Sequence, residues 1–411
     1  MESLKRLTAL LTAVAAHKFD LILYGADAWR NAGNRSHLED VVSQLTDVKS
    51  KPDVLVAALD GHSDPKDWLK STRAVITAAG PFSIHGGEEL LRAAAELGVH
   101  YADTSDEFYW QRWMIDRYDQ VVLSSGFCVL AGDLGAQLAL RPLQNRSADA
   151  SVASLDAWLE GYNGGVSAGV IHTAEAMKNA SFPKAWETDP YVLAPNATAD
   201  LRKDTKVEGM HYPSWVSGEG VVVPNIFGPY DARLLRRSFV QLEQAVTLRV
   251  GATAGMYPKW TAFIAEHPGS WSKLTKCPTE TVYKDGKGRE RGCTRFKFGV
   301  MDAVLRQQGS GVLLSGHGDP GYRFTAVGLA ETGLCLAGKT SKCPKPLGCF
   351  GVLTPMAALE ATVLPLSLVG WSGVQIWLMR ACRVCNHENV RLTTMFWSTR
   401  FWQLHATAFP A

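Results

Sequence analysis

Four short apolar runs in the first third of the chain each end at a glycine or an aspartate, and these residues are the first candidates for binding chemistry. They are Gly25, Asp60, Gly80 and Asp103. In a parallel sheet, ligands bind in the crevice outside the carboxyl ends of the strands. A glycine at such an end lets the backbone approach a phosphate group closely. The pattern therefore predicts a ligand site formed by strand ends.

Three side chains near these ends are candidates for a part in catalysis. Tyr101 and Asp103 fall at one strand end, where they are candidates for positioning a substrate or cofactor. The alternative is that Asp103 caps the helix expected over residues 106–123. His85 follows the turn after the third strand and is a candidate proton donor, the alternative being a solvated loop histidine. The sequence identifies no definite catalytic acid or base.

Metal and nucleophile motifs give little support to other chemistries. Cys382, Cys385 and His387 form a C-x-x-C-x-H pattern, but a zinc site needs four ligands and no second pair lies nearby. Unpaired tail residues are the favoured interpretation, and no metal is predicted. The sequence contains no nucleophile elbow, Walker loop or H-E-x-x-H motif.

The elements that must position these residues alternate between apolar runs and amphipathic stretches. Short apolar runs are typical of buried parallel strands, and apolar spacing of three and four residues is typical of helices. Strands are predicted over residues 19–24, 54–59, 74–79, 99–102 and 127–130, and helices over 36–45, 65–70, 87–97 and 106–123. Such alternation favours βαβ units with right-handed crossovers. The predicted fold class is α/β, with a Rossmann-type doubly wound parallel sheet.

The pattern changes after residue 150 and indicates a second, α+β domain. Strands are predicted over residues 152–159, 246–250, 295–300 and 312–315, with a helix over 167–177. The expected division is a lead-in helix over 1–18, a Rossmann-like domain over 19–150, a second α+β domain for substrate or dimerisation over 151–360, and a divergent tail over 361–411.

Composition is typical of a cytoplasmic globular protein. Charged residues are 20% and the net charge of +2 is spread along the chain, so nucleic-acid binding is not expected. Eight cysteines are too few for a disulfide scaffold. Residues 1–16 have a short signal peptide as the less favoured alternative. The apolar stretch 351–379 is interrupted by Pro355, Glu360 and Pro365, which argues against a membrane span but leaves membrane contact open.

Several segments together resemble the saccharopine-dehydrogenase-like oxidoreductases, and most closely their branch of trans-acting enoyl reductases. The segments are YGA, AAGPFSIHGGEELLRAAAELGVHYADTSDE, MIDRYDQ, GDPGYRFTAVGLAETGLCLA and FGVLTP. They occur in the family's order between about residues 19 and 360. The stretch from 79 to 106 is the most specific, and the DPGY segment from Asp319 makes coincidence hard to accept.

The resemblance implies a Rossmann domain that binds NADP or NAD. By the same resemblance, an arginine near position 35 would hold the 2′-phosphate of NADP, and Asp60 would lie near the adenine. The residues assigned to the cofactor in this way are Gly25, Ala26, Arg35, Asp60, Ala79, Gly80, Pro81 and Phe82. Tyr322, in the DPGY segment, joins Tyr101 and Asp103 as a substrate candidate, the alternative being turn chemistry.

Three departures separate this chain from the family pattern. After Ala26 the remaining glycines and the first crossover helix have no counterpart, and Asn34 stands where the arginine is expected. After the predicted fifth strand only Asp133, Leu134 and Gly135 carry over, so the loop facing the nicotinamide is expected to be shortened. The tail beyond about residue 361 does not match. Intact flanks around each departure suggest misplaced exon boundaries, which sequencing the transcript would test.

Two functions follow as hypotheses from different classes. The first is an NAD(P)H-dependent enoyl reductase that reduces a C=C bond of a polyketide- or lipid-like intermediate in secondary metabolism. Its substrate would be a small molecule carried by a polyketide synthase, and the subunits would pair as a homodimer. The second is a non-catalytic Rossmann relative that binds a ligand or partner, because loss of the glycine turn removes most of a pyrophosphate site.

Overall fold

The computed structural model describes a large part of the chain and leaves gaps between segments. The described residues are 22–25, 36, 39, 42, 43, 53–56, 64–118, 121–122, 125–144, 152–163, 168–203, 214–216, 220–225, 227–253, 293–302, 308–317, 321, 325–338, 352–355 and 371–380.

Short strands and helices alternate over the first part of the described chain, as the sequence predicts. In order they are β1 Ile22–Gly25, β2 Asp53–Val56, α1 Lys66–Leu69, β3 Ala74–Thr77, α2 Gly87–Leu97, β4 His100–Asp103, α3 Phe108–Arg117, β5 Val121–Val122 and α4 Phe127–Gln144.

Longer strands dominate the second part. The elements are β6 Val152–Asn163, α5 Ala168–Asn179, α6 Ala185–Thr188, β7 Ser214–Val216, β8 Gly220–Val223, α7 Gly228–Gln241, β9 Thr247–Thr253, β10 Cys293–Asp302, β11 Gln308–His317, α8 Thr325–Gly338, β12 Val352–Leu353 and β13 Trp371–Arg380.

The strands form three sheets within the described residues. β1 and β2 pair in parallel, and a four-stranded parallel sheet has the order β12-β5-β4-β3. A seven-stranded sheet has the order β13-β11-β10-β6-β9-β8-β7, and it is antiparallel except between β6 and β9. Parallel strands with intervening helices, beside a mainly antiparallel sheet, confirm the Rossmann-type α/β class with a second α+β unit.

Helix α2 illustrates why the sequence predicts the unit formed by β3, α2 and β4. Glu88 and Glu89 lie in its first turn, where the helix dipole favours negative charge. It ends at Gly98, whose φ of 68° is a left-handed conformation that glycine adopts without strain. Leu90 and Leu91 are almost wholly buried in the core cluster, and full burial of such a side chain contributes about 1.5–3 kcal/mol.

The predicted fifth strand over residues 127–130 is wrong. These residues begin helix α4, and the strand beside β4 is Val121–Val122 instead. The predicted helix over 106–123 is accordingly shorter, since Tyr118 is already extended after α3. Residues 129–140 of α4 are all buried. A helix buried on every side carries no amphipathic pattern, and a short apolar run cannot distinguish it from a buried strand.

Segments late in the chain return to both larger sheets. β12 pairs with β5, and α8 packs against β3 and β4, so residues after 325 complete the parallel unit. β13 pairs with β11 at the edge of the seven-stranded sheet, although its sequence does not match the family pattern. The domain boundaries set out from the sequence remain a prediction.

Polar contacts join the parallel unit to the second unit. The Tyr230 hydroxyl of α7 lies 3.0 Å from the carbonyl oxygen of Ser105 and 2.8 Å from Oε1 of Gln111. Arg112 of α3 donates from Nη1 to the carbonyl oxygen of Val192 at 3.1 Å. These bonds hold α3 against α7 and the 186–194 segment, so the residues around the carboxyl edge of β4 have partners in both units.

Within the described residues, no helix has both the length and the apolar character needed to cross a membrane.

Candidate functional site

The carboxyl ends of β3 and β4 meet at one edge, as the sequence predicts for these two strands. Thr77 at the end of β3 is in register with Asp103 at the end of β4. The amide of Ser125, just before α4, donates to the carbonyl oxygen of Asp103 at 2.7 Å. Residues 78–80 follow β3 and are half-buried, so small side chains line this edge. An edge of this kind is where ligands of open α/β sheets bind.

The turn that follows β3 is held in one conformation by a buried carboxylate. Its Gly80-Pro81 peptide is cis. The amides of Phe82 and Ser83 donate to the carboxylate of Glu107 at 2.5 and 3.0 Å, and Glu107 is fully buried. Because both N–H groups point to Glu107, this turn does not offer them to a phosphate group.

The same turn packs tightly on its other sides. Phe82 is 4% exposed, and its ring centroid lies 5.4 Å from that of Trp110. A Cβ atom on Gly87 would lie 2.7 Å from the carbonyl oxygen and 2.8 Å from Cβ of Phe82. Only glycine therefore fits at position 87 while the turn keeps this position.

Tyr101 and Asp103 lie in the interior. Both side chains are fully buried, and the Tyr101 hydroxyl donates to Oδ2 of Asp103 at 3.1 Å. Oδ1 of Asp103 accepts from the amide and hydroxyl of Ser105 at 3.0 and 2.7 Å. These bonds fix the loop between β4 and α3, and they do not cap α3, whose N-cap residue is Glu107. Direct contact of either side chain with a substrate remains a prediction that their burial does not support.

Two hydroxyl groups form a short polar chain beside the turn. The hydroxyl oxygens of Ser83 and Tyr109 lie 2.8 Å apart, and the Tyr109 hydroxyl donates to Oε2 of Glu107 at 3.3 Å. Burial raises the pKa of Tyr109 to about 12, and the nearby carboxylate of Glu107 adds to the rise. Tyr109 is therefore protonated at neutral pH, and when its hydroxyl turns from Glu107 to Ser83 the pair is able to pass a proton towards a ligand that meets Ser83.

A cleft of about 450 Å³ opens next to these hydroxyls, between the turn with α3 on one side and α5 on the other. Its accessible surface is mainly apolar. It is lined by Ser83, Ile84, Tyr109, Trp113, His172, Glu175, Ala176, Asn179, Ala180 and Ser181. A concave, mostly apolar cleft with a few convergent polar groups is the usual form of a small-molecule site.

His85 lies near the cleft and is partly buried rather than solvated. Burial lowers the pKa of His85 below its ordinary value, and the nearby His172 of α5 lowers it further. The imidazole is therefore neutral at pH 7, and its role as a proton donor remains a prediction. His172 in turn lies 3.4 Å from a carboxylate oxygen of Glu175, measured from Nδ1.

The residues expected to form a shortened loop at the nicotinamide lie inside helix α4, which corrects that expectation. Asp133 is fully buried, and its Oδ1 accepts from the hydroxyl of Ser238 at 2.7 Å. The Ser238 hydroxyl also lies 2.8 Å from that of Thr354. Burial raises the pKa of neighbouring Asp231 to about 8, and Asp133 adds to this. Asp133 therefore belongs to a buried polar network that joins α4 to α7.

The structure places some of the predicted cofactor residues and leaves others outside. Gly25 ends β1, and Ala79, Gly80, Pro81 and Phe82 form the turn after β3. The predicted residues Ala26, Arg35, Asp60, Asp319, Tyr322, Cys382, Cys385 and His387 lie outside the described residues. Among the described residues, no group of three or more His, Cys, Asp or Glu side chains is placed to hold a metal ion.

Sequence reasoning missed Glu107, Ser83 and Tyr109. Glu107 is the last residue before α3, a position at which an acidic residue usually interacts with its own helix. Its partners instead lie 24 and 25 residues earlier in the chain. No local pattern indicates a bond of that range.

The described strand ends fit part of a dinucleotide. Small residues at 79 and 80 leave half-exposed backbone at the edge, where a ribose or nicotinamide ring would find a flat contact surface. The amide of Ala79 is directed to Thr77 Oγ1 at 3.3 Å, so this turn suits contact with a ring better than binding of a pyrophosphate.

Comparisons with known proteins agree with the resemblance seen in the sequence. A Mycobacterium ulcerans protein named trans-acting enoyl reductase is 26% identical, and the match covers 85% of this chain and 96% of that protein. A Mycobacterium tuberculosis protein, named as a candidate trans-acting enoyl reductase, is 25% identical over 71% of this chain and 77% of its own length. A scan against models of protein families found no match.

A search of solved structures matched apo saccharopine dehydrogenase (L-Glu forming) from Saccharomyces cerevisiae. The identity is 11% and the TM-score 0.49, with 92% of this chain and 98% of that chain covered. The sequence matches to the mycobacterial proteins agree with the resemblance: the chain is similar to proteins named trans-acting enoyl reductases.

Proposed function

We propose that the chain is an NAD(P)H-dependent enoyl reductase that reduces a C=C bond of a polyketide- or lipid-like thioester in secondary metabolism. The observation that carries this proposal is the match to named trans-acting enoyl reductases, which extends over 96% of one relative's length. The carboxyl edge of the parallel sheet and the adjoining apolar cleft support it, because they lie side by side around the turn after β3.

A reduced nicotinamide, when bound, supplies the hydride for such a reduction. Gly25, Ala79 and Gly80 are the described residues that would hold the cofactor, through small side chains at strand ends. Arg35 and Asp60 are proposed to contact the adenosine end. Because the connection after Gly25 is short and Arg35 stands one position later than the family's arginine, binding measurements must decide between NADP and NAD.

The chain itself must supply the proton. Addition of a hydride to an enoyl thioester leaves the carbon next to the carbonyl to be protonated. Ser83 and Tyr109 both line the cleft with their hydroxyl oxygens 2.8 Å apart, and Tyr109 is protonated at neutral pH. Ser83 is the proposed donor: its hydroxyl proton goes to this carbon, the Tyr109 hydroxyl returns a proton to Ser83, and solvent that enters the cleft reprotonates Tyr109.

Variants at these hydroxyls test the proton path. Ser83→Ala is expected to lower kcat by about 10²-fold or more while the affinity for NADPH stays the same. Ser181→Ala is the matched control, because it removes a hydroxyl from the same cleft at a residue on the opposite wall. Equal kcat values for wild type and Ser83→Ala would exclude Ser83 as the donor.

The name of the relatives also suggests how substrate is delivered. A trans-acting reductase acts on a substrate held by another protein, so we expect the thioester to be carried by a polyketide synthase. Pairing of two copies of this chain through the second unit is a further expectation, and light scattering of the purified protein tests it.

Binding of NADPH and NADH, followed by the fluorescence of the reduced nicotinamide, tests the proposed function at its first step. Micromolar affinity would support the reductase. A folded protein with no binding up to millimolar cofactor would instead favour the second hypothesis, a non-catalytic relative. That hypothesis has an observation in its favour, because the chain lacks the glycine turn after Ala26 and the turn after β3 commits its amides to Glu107.

A further inference from the structure

The apolar cleft has one wall that comes from a single helical face. His172, Glu175, Ala176 and Asn179 are spaced three, four and seven residues apart on α5, so they share one side of that helix. The opposite wall is the aromatic side of α3 and the turn after β3. The small side chain of Ala176, at the centre of the α5 face, leaves space between the two walls.

One apolar side chain at the cleft is exposed to water, and a ligand that covers it would remove this unfavourable exposure. Ile84 is 59% exposed, the most exposed large apolar side chain among the described residues. It lies in the turn that Glu107 fixes, directly after Ser83. An isoleucine held in water beside a mainly apolar cleft gains free energy when an apolar group covers it.

Polar groups lie on both walls of the cleft, and the α5 wall contributes His172, Glu175 and Asn179. The Ser83 and Tyr109 hydroxyls lie together at the turn, where the strand ends meet the cleft. The uncharged part of the lining, besides Ile84, is Trp113 of α3, Ala176 of α5 and Ala180, which directly follows α5. A ligand that fits has a polar head at the turn and an apolar body that covers Ile84, Trp113, Ala176 and Ala180.

We infer that this cleft binds the acyl chain of the thioester, and that Ala176 and Ala180 set the chain length it accepts. The inference rests on the proposed function for the identity of the head group. The thioester end would meet Ser83, and the chain would run past Ile84 and Trp113 to α5. The volume of about 450 Å³ lies within the range of small-molecule sites.

Calorimetric titration of the full chain with two saturated thioesters tests the inference without any turnover. Octanoyl-CoA is expected to bind at least about ten-fold tighter than butanoyl-CoA, because one fully buried methylene is worth about four-fold in Kd. Ala176→Trp fills the cleft from α5, so it should remove most of that gain and leave the Kd of butanoyl-CoA within about two-fold.

Ala174→Trp is the matched control, because Ala174 is exposed and lies two residues away on another side of α5. It should bind both thioesters like wild type. Ala180→Phe is a second filling variant, and butanoyl-CoA binding reports that each variant is folded.

The inference is overturned if wild type binds both thioesters equally, or if Ala176→Trp keeps the full preference for octanoyl-CoA. It is also overturned if octanoyl-CoA does not bind and Ala176→Trp changes the mass measured by light scattering, since a second copy of the chain would then cover the cleft. Chain-length-dependent binding in a protein that reduces no enoyl thioester would uphold the cleft and reject the proposed function. Reduction of enoyl thioesters without any dependence of binding on chain length would uphold the proposed function and reject the inference about the cleft.

Discussion

Removal of the Glu107 carboxylate is expected to loosen the turn on which both the strand edge and the cleft depend. Glu107→Ala leaves the amide of Phe82 buried without its acceptor, which costs about 1–3 kcal/mol. The amide of Ser83 is only partly buried, so its loss costs less, about 1 kcal/mol. The expected decrease in the free energy of unfolding is therefore about 2–4 kcal/mol.

Glu107→Gln separates the two bonds. A glutamine carbonyl accepts from one amide, whereas its NH₂ group cannot accept from the other, so the expected decrease is about half as large, roughly 1–2 kcal/mol. Urea unfolding followed by circular dichroism gives both values. Glu187→Ala is the control, because that carboxylate is exposed and its removal should change stability by no more than about 0.5 kcal/mol.

The order of the four proteins is the critical result. Wild type and Glu187→Ala should be equally stable, with Glu107→Gln below them and Glu107→Ala lowest. Equal unfolding midpoints for Glu107→Ala and wild type would refute the reasoning, because the turn would then be held by other contacts.

Two further predictions concern packing and pH. Gly87→Ala places a Cβ 2.7 Å from the carbonyl oxygen of Phe82 and should lower the free energy of unfolding by about 1–3 kcal/mol. Gly132→Ala in α4 meets no atom within 4 Å and should raise the free energy of unfolding by about 1 kcal/mol. Equal melting temperatures for the two variants would contradict this prediction. The pKa of Asp231 is raised to about 8 by burial and by Asp133, so the unfolded state loses this proton first and stability falls as pH rises from about 4 to about 8. Asp231→Asn removes that fall and should gain on the order of 2–4 kcal/mol over wild type at pH 7 and almost nothing at pH 4. A gain of the same size at both pH values, measured by urea unfolding, would show that the carboxyl group is not protonated in the fold.

The central βαβ unit could be predicted because each of its local signals agrees with the tertiary fold. β3, α2 and β4 have apolar runs or amphipathic spacing, and Gly98 marks the end of the helix with its left-handed conformation. The edge at Gly80 and Asp103 followed from the rule that ligands bind outside strand ends. These parts of the fold depend on residues close in sequence.

Features that depend on distant or fully buried partners could not be predicted. Helix α4 has no polar face to reveal its period, so its start was assigned to a strand. β12 joins the parallel sheet by pairing with β5, more than two hundred residues earlier in the chain. At the site, Glu107 and Tyr109 act through the turn after β3, and only the folded chain brings their oxygen atoms to Ser83.

The most direct test of the account is transfer of deuterium from NADPH labelled at both C4 hydrogens to an enoyl thioester. The purified protein is incubated with the labelled cofactor and a 2-octenoyl thioester, and the product is analysed by mass spectrometry. An enoyl reductase predicts a saturated octanoyl product with one deuterium on the carbon that lies beyond the α-carbon. Unchanged 2-octenoyl thioester, from folded protein that binds both molecules, would contradict the assignment as an enoyl reductase.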